Sequence, residues 1–238
     1  MKHAPLAVLA VAVVAMLVYG PIVQPEHYHE FADRRVLFGI PNAADVLSNI
    51  PFAIVAIWFL LPPWERVSPG FLLFAIGLLL TAAGSSYYHW APDNQRLVWD
   101  RLPIAIAAAG LLAGFYGRTL ATRHEAAIAI ALGVFGIASV LWWSFTDRGG
   151  AGDLRPYLLL QLSPIVLVPL WQAHARSPRR ERVLFIIAAA LYVAAKITEA
   201  ADRQVFDALG FVSGHTLKHL LAAAAGAVLL ATSRASPR

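Results

Sequence analysis

Eight long, predominantly apolar stretches follow one another along this chain: residues 5–22, 44–61, 70–89, 101–118, 124–144, 156–172, 182–201 and 214–232. A helix needs roughly 20 such residues to cross the hydrocarbon core of a bilayer. The spacing therefore predicts an all-α, polytopic membrane bundle, because only helices and closed barrels satisfy their backbone groups in lipid. Composition agrees: 59% of the 238 residues are hydrophobic and 14% are charged, and mean hydropathy is +0.63. Soluble domains average about 45–50% apolar and about 25% charged residues. The segments leave no room for a sizeable soluble domain, and no repeat or low-complexity tract interrupts them. The sixth, with Pro164 and Pro169, is expected to be kinked, neighbouring helices satisfying the freed backbone groups.

The first stretch resembles a signal peptide in its Lys2 and small residues. Its length and the poor cleavage context at Tyr19-Gly20-Pro21 favour an uncleaved anchor instead. The expected division is residues 1–23 as an extra N-terminal helix and 24–238 as a seven-helix domain. If the N-terminus is cytoplasmic, that side collects Lys2, Arg66, Arg118, Arg123, Arg176, Arg179, Arg180, Arg182, Arg234 and Arg238, and the Arg176–Arg182 cluster is the strongest vote for it. Of the 14 acids, all but Glu65, Glu125 and Glu181 fall on the opposite side. The net charge of +5 comes from basic residues scattered through short loops, which argues against nucleic-acid binding. There is no cysteine, so no disulfide and no thiolate metal site can form.

Polar residues at the segment ends explain the excess of acids. Ser85 and His89 are four apart and share a helix face; Pro92 ends that helix and Asp100 opens the next segment. His215 and His219, four apart in "SGHTLKHLLAA", open the last segment. With eight segments, these three places lie on one side of the membrane. Three histidines, an aspartate and a serine can then converge at one depth. Three imidazoles with an open fourth position describe a catalytic zinc site, where a bound water loses its proton near pH 7. A nearby carboxylate can take that proton, and a serine can stabilise a developing oxyanion. The matching reaction class is metal-assisted hydrolysis of an amide or ester.

Each residue also has a plainer reading. Intramembrane histidines can simply pack or pair, and serine often packs membrane helices. Tyr87, Tyr88 and Trp90 read as an interfacial aromatic belt, and Asp100-Arg101 as a solvated loop end. The agreement of three separate motifs on one side weighs against coincidence.

The stretch "SSYYHWAPDNQRLVWDRLPI", with Ser-x-x-x-His followed eleven residues later by Asp, resembles the second core helix and following loop of alkaline ceramidases. "GHTLKH" resembles their final-helix His-x-x-x-His. "NAADVLSNIPF", residues 42 to 52, resembles the stretch opening their first core helix, with Asp45 where the family usually has Asn. The resemblance spans about residues 26–232 and implies a superfamily of seven-helix membrane hydrolases that includes the progestin and adiponectin receptors. It implies that His89, His215 and His219 bind zinc, that Asp100 is the general base, and that Ser85 holds the water or stabilises the oxyanion. The implied reaction splits an N-acyl sphingoid base into a free base and a fatty acid, with a lipid substrate entering from the bilayer towards an extra-cytoplasmic site.

The chain departs from the family in places. Eukaryotic members carry a calcium site before the first core helix, including a Glu where this chain has Asn42. Glu26, Glu30 and Asp33 are candidate calcium ligands here, but no clear ligand pattern supports them, and the segment reads better as a solvated, hydrogen-bonded loop. Lys196, Glu199, Asp202, Arg203 and Lys218 are expected to brace the last two helices as an ion network, Lys218 reaching Glu199 or Asp202, with lipid-headgroup binding as the alternative. Ser48 and Asn49 are expected to hydrogen-bond neighbouring helices near the site. Three functional classes remain open: a zinc-dependent lipid amidase, a receptor or sensor with a structural metal site, and a haem-binding bundle with histidine ligands.

Overall fold

The computed structural model describes residues 4–61, 67–150 and 152–234. Lys2, Glu65, Arg66 and Arg238, which entered the orientation argument, lie outside the described residues. Helices occupy Ala4–Tyr19 (α1), Ala43–Leu47 (α2), Ile50–Leu60 (α3), Pro69–Trp90 (α4), Asn94–Leu120 (α5), Glu125–Asp147 (α6), Arg155–His174 (α7), Arg179–Ala200 (α8), Asp202–Leu209 (α9) and Gly214–Arg234 (α10). Seven spans among the described residues are long and apolar enough to cross a membrane. The seven-helix bundle expected from the sequence is thus present. The N-terminal helix is shorter than its apolar stretch, because Gly20 turns to φ +92° ahead of Pro21. The first span is broken in two at Ser48-Asn49, where Pro51 enters the first turn of α3. α7 runs unbroken through Pro164 and Pro169.

α5 is the central element, packed against α4, α6 and α7, while α8 pairs with α10. It starts six residues earlier than Asp100, capped by Asp93, whose carboxylate accepts from Arg96 N at 2.7 Å. Asp100 therefore sits in the second turn of a helix rather than at its opening. One apolar core gathers Phe52, Phe59, Phe71, Phe74, Phe115 and Phe185, and a second gathers Phe31, Tyr88, Leu97, Trp143 and Tyr157. The outward faces carry exposed Ile54, Trp58, Ile130, Phe145, Ile186 and Ile197, as a bundle bathed in lipid requires.

Two close backbone contacts set the geometry at one end. Pro103 removes the donor that would bind the carbonyl of Trp99 one turn earlier. Gly84 of α4 meets that freed carbonyl: a Cβ on Gly84 would lie 2.0 Å from Trp99 O. Likewise a Cβ on Gly214 would lie 2.0 Å from Thr198 O of α8. The two glycines immediately precede Ser85 and His215 in the chain.

Candidate metal centre

α4 delivers His89 in its last turn, and α10 delivers His215 and His219 one turn apart in its first two turns. All three are buried, with 0%, 6% and 3% of their surface exposed. Each offers one donor nitrogen within 4.8 Å of the others, and the Nε2 atoms of His89 and His215 are 3.2 Å apart. Two nitrogens on a tetrahedral zinc at about 2.0–2.1 Å stand roughly 3.3 Å apart. The cluster is therefore already drawn in to the span of a metal coordination sphere. It leaves no slot for a flat macrocycle between two imidazoles, which sets the haem alternative aside.

Hydrogen bonding prepares one of the rings. Ser48 Oγ donates to the Asp45 carbonyl at 2.9 Å and lies 2.7 Å from His219 Nδ1. With its proton committed to that carbonyl, the hydroxyl accepts from Nδ1–H. His219 then keeps its Nε2 lone pair for a ligand. Lys218 Nζ lies 2.8 Å from His215 Nε2 and 3.1 Å from Glu199 Oε1. The lysine thus holds the His215 lone pair in the present arrangement, and a metal taking that nitrogen would leave the ammonium paired with Glu199. The expected network is found in this part: Lys196 and Lys218 both pair with Glu199.

Asp202 does something else. Its two oxygens accept from Ala32 N at 2.8 Å and from His215 N at 2.7 Å, so it joins the 20–42 segment to the start of α10. Asn49 also departs from expectation. Its amide donates to the Asp45 and Val46 carbonyls of its own chain segment, where the break between α2 and α3 interrupts the regular helical bonding.

The 20–42 segment covers the histidines. The Phe31 ring stands 4.7 Å from His89 and 4.4 Å from His215 between centroids. Asn42, at φ 47°, donates from Nδ2 to the His89 carbonyl at 2.9 Å. Of the three candidate calcium ligands, Asp33 is buried in a bidentate pair with Arg35, whose guanidinium holds its carboxyl below the ordinary carboxylate range. Glu30 pairs with His27 at the surface. Among the described residues these carboxylates form no cluster that could hold an ion, and the burial of Asp33 departs from the solvated loop expected there.

Ser85 and Asp100 are both buried. With His219 they line a cavity of about 310 Å³ that continues between apolar side chains such as Phe74, Leu78, Leu111 and Phe185. Asp100 and Arg101 are therefore not a solvated loop end. Nor does Tyr88 belong to the surface belt: Tyr87 and Trp90 are half-exposed, but Tyr88 is 1% exposed and bonds His29 Nδ1 at 2.8 Å. Its position three residues after Ser85 placed it beside the inward face all along. Asp45, noted in the sequence only as a departure from the family pattern, is fully buried. Its Oδ1 accepts from Thr216 Oγ1 at 2.7 Å while Oδ2 has no partner.

No family model matches the chain, and no curated protein matches it at a significant level.

Proposed function

We propose that the protein is a zinc-dependent integral-membrane amidohydrolase acting on N-acyl lipids, as the resemblance to alkaline ceramidases implies. The observation that carries this reading is the cavity that joins an apolar channel to Ser85, Asp100 and His219, with His89 and His215 packed directly behind. A receptor with a structural metal needs no carboxylate and hydroxyl facing open space beside its ligands.

In this reading His89, His215 and His219 hold the ion through their ring nitrogens. Zinc at such a site supplies hydroxide near neutral pH and polarises a carbonyl. The residues of the chain do the rest. Asp100 accepts a proton at its carboxylate and returns it to the departing amine nitrogen. Ser85 donates its hydroxyl to the oxygen on which charge develops. Ser48 keeps His219 in the tautomer with Nε2 free. Phe31 and the 20–42 segment keep bulk water off the histidines, which strengthens each of these interactions. The acyl chain lies along the apolar part of the cavity, and the substrate enters laterally from the bilayer on the extra-cytoplasmic side.

Metal content of the detergent-purified protein tests the reading together with turnover. About one zinc per chain is expected in wild type and none in His215→Ala/His219→Ala. Asp100→Asn is expected to keep its zinc and lose N-acyl lipid hydrolysis by 100-fold or more, within the usual range for a general base. Full activity in Asp100→Asn removes the assigned role, and a folded wild type without metal removes the mechanism.

A further inference from the structure

Arg101 follows Asp100 on α5 but points to a different face, since successive helical residues diverge by about 100°. It is 3% exposed. Its guanidinium carbon stands 4.0 Å from the ring centroid of Trp143, 5.2 Å from Tyr28 and 5.6 Å from Tyr157. The three rings come from α6, the 20–42 segment and α7. They hold the cation through their faces but cannot accept from the N–H groups that lie in the guanidinium plane. Nη1 is buried without a hydrogen-bond partner. Arg101 also enters none of the ion pairs among the described residues. A guanidinium cannot shed its charge, so this unmet donor stays cationic.

Arg101 lines the same cavity as Ser85, Asp100 and His219. The charged groups facing that cavity are Asp100, Arg101, Lys196, Glu199 and Lys218, three cations against two anions. Lys196 and Lys218 are committed to Glu199, which leaves Arg101 as the cation with an open donor. The acyl chain has the apolar part of the cavity to itself. What reaches Arg101 is then the amine half of the substrate.

We propose that Arg101 receives an oxyanion on that half, so that the preferred substrates are N-acyl lipids whose released amine carries a carboxylate or a phosphate. The planar fork of a guanidinium matches both groups. The aromatic box fixes its plane in advance, and Nη1, enclosed and without an acceptor, is the donor that a ligand's oxyanion would satisfy. The proposal rests on the hydrolase reading for its chemistry, and its test separates the two.

Three amphiphiles with one acyl chain decide it: N-palmitoylglycine, N-palmitoyl-phosphoethanolamine and the neutral N-palmitoylethanolamine. Wild type is expected to show a kcat/KM for at least one charged substrate about tenfold or more above the neutral one. Arg101→Gln is expected to lower the charged substrates by about 10- to 100-fold, the usual size of a charge-assisted hydrogen bond, while the neutral one stays within about twofold. Arg101→Lys is expected to recover part of the loss. Which charged substrate leads identifies the carboxylate or the phosphate. An equal fall for all three in Arg101→Gln marks a merely structural arginine and overturns the proposal, as does equal use of charged and neutral substrates by wild type. If Arg101→Gln does not fold, the wild-type substrate order and Arg101→Lys decide alone. If wild type binds zinc yet cleaves neither these three nor an N-palmitoyl sphingoid base, the hydrolase reading fails. The affinities of wild type for the same amphiphiles then test Arg101: tighter binding of a charged one sustains its role, and equal binding ends it.

Discussion

Near the far end of α5, Arg118 reaches Glu181 of α8 at 2.8 Å and the Ser233 carbonyl of α10 at 3.1 Å, with both charged side chains 13% exposed. Near the other end of the same helix, Arg101 is buried more deeply and held only by ring faces. Both arginines are brought into the bundle by one helix, yet one closes on a carboxylate and the other keeps an open donor. Asp45 repeats the pattern at the histidine end, with one carboxylate oxygen bonded and one not. A buried charge that only braces helices is paired, since breaking such a pair is costly. Buried charges with unspent valences collect around the cavity and the histidines, where a partner can arrive. Neutral groups follow no such division, for Ser68 Oγ and Gln172 Nε2 are also unpartnered.

The largest expected effect breaks the closed side. Arg118→Leu leaves Glu181 buried without its partner and should cost about 3 kcal/mol of stability, seen as a lower melting temperature in detergent. Arg118→Leu with Glu181→Leu should recover most of that loss, because a well-packed apolar pair often matches a buried ion pair. Neither variant should change zinc content per folded molecule. Loss of metal in the double variant would show that the two ends are coupled rather than separate.

The next effect compares two glycine contacts on α4. A Cβ at Gly70 would lie 2.1 Å from Gly114 N, and one at Gly84 would lie 2.0 Å from Trp99 O. Alanine at either position forces α4 and α5 apart and should cost about 1–3 kcal/mol. The functional outcomes should differ. Gly84 sits beside Ser85, and Trp99 beside Asp100, so Gly84→Ala displaces both groups that face the cavity. A displacement near 1 Å at such groups costs about 100-fold in rate. Gly70→Ala should leave kcat/KM of the folded fraction within about twofold. Similar losses of activity in the two variants would mean that the α4–α5 seam moves as one body.

What could be read from the chain, and what could not, follows the same division. Span length and the four-residue spacing of the Ser85/His89 and His215/His219 pairs are local signals, and they were enough for the bundle and for the three histidines. The aromatic box of Arg101 draws one ring each from α6, α7 and the 20–42 segment, so no window of sequence contains it. Phe31 over the imidazoles and Asp202 tying Ala32 to His215 are equally non-local. Asn49 was misassigned because a break inside an apolar span carries no periodic signal beyond Pro51. The inward turn of Tyr88 was accessible from its three-residue spacing to Ser85, but the aromatic cluster around it read more simply as an interface.

The smallest effect sharpens the open side. Asp45 is fully buried, and its Oδ1 accepts from Thr216 Oγ1 at 2.7 Å and from Ser213 Oγ at 3.4 Å, while Oδ2 accepts nothing. Asp45→Asn can keep both acceptor contacts through the amide oxygen. It exchanges a buried carboxyl group that is only half satisfied for an amide, which carries no charge at any pH, so burial no longer opposes ionisation at this position. The new N–H groups still need acceptors, which offsets part of the gain. The expected outcome is a change in stability within about 1 kcal/mol of zero, the ordinary size of one hydrogen bond, with zinc content and hydrolysis retained. A melting curve and a metal assay on one preparation read both. If zinc or turnover falls while the fold survives, Asp45 is acting as an anion. The open oxygen, which has no hydrogen-bond partner, then acts on the metal centre through its charge alone, and the unspent valence at this end is electrostatic rather than a place kept for a ligand.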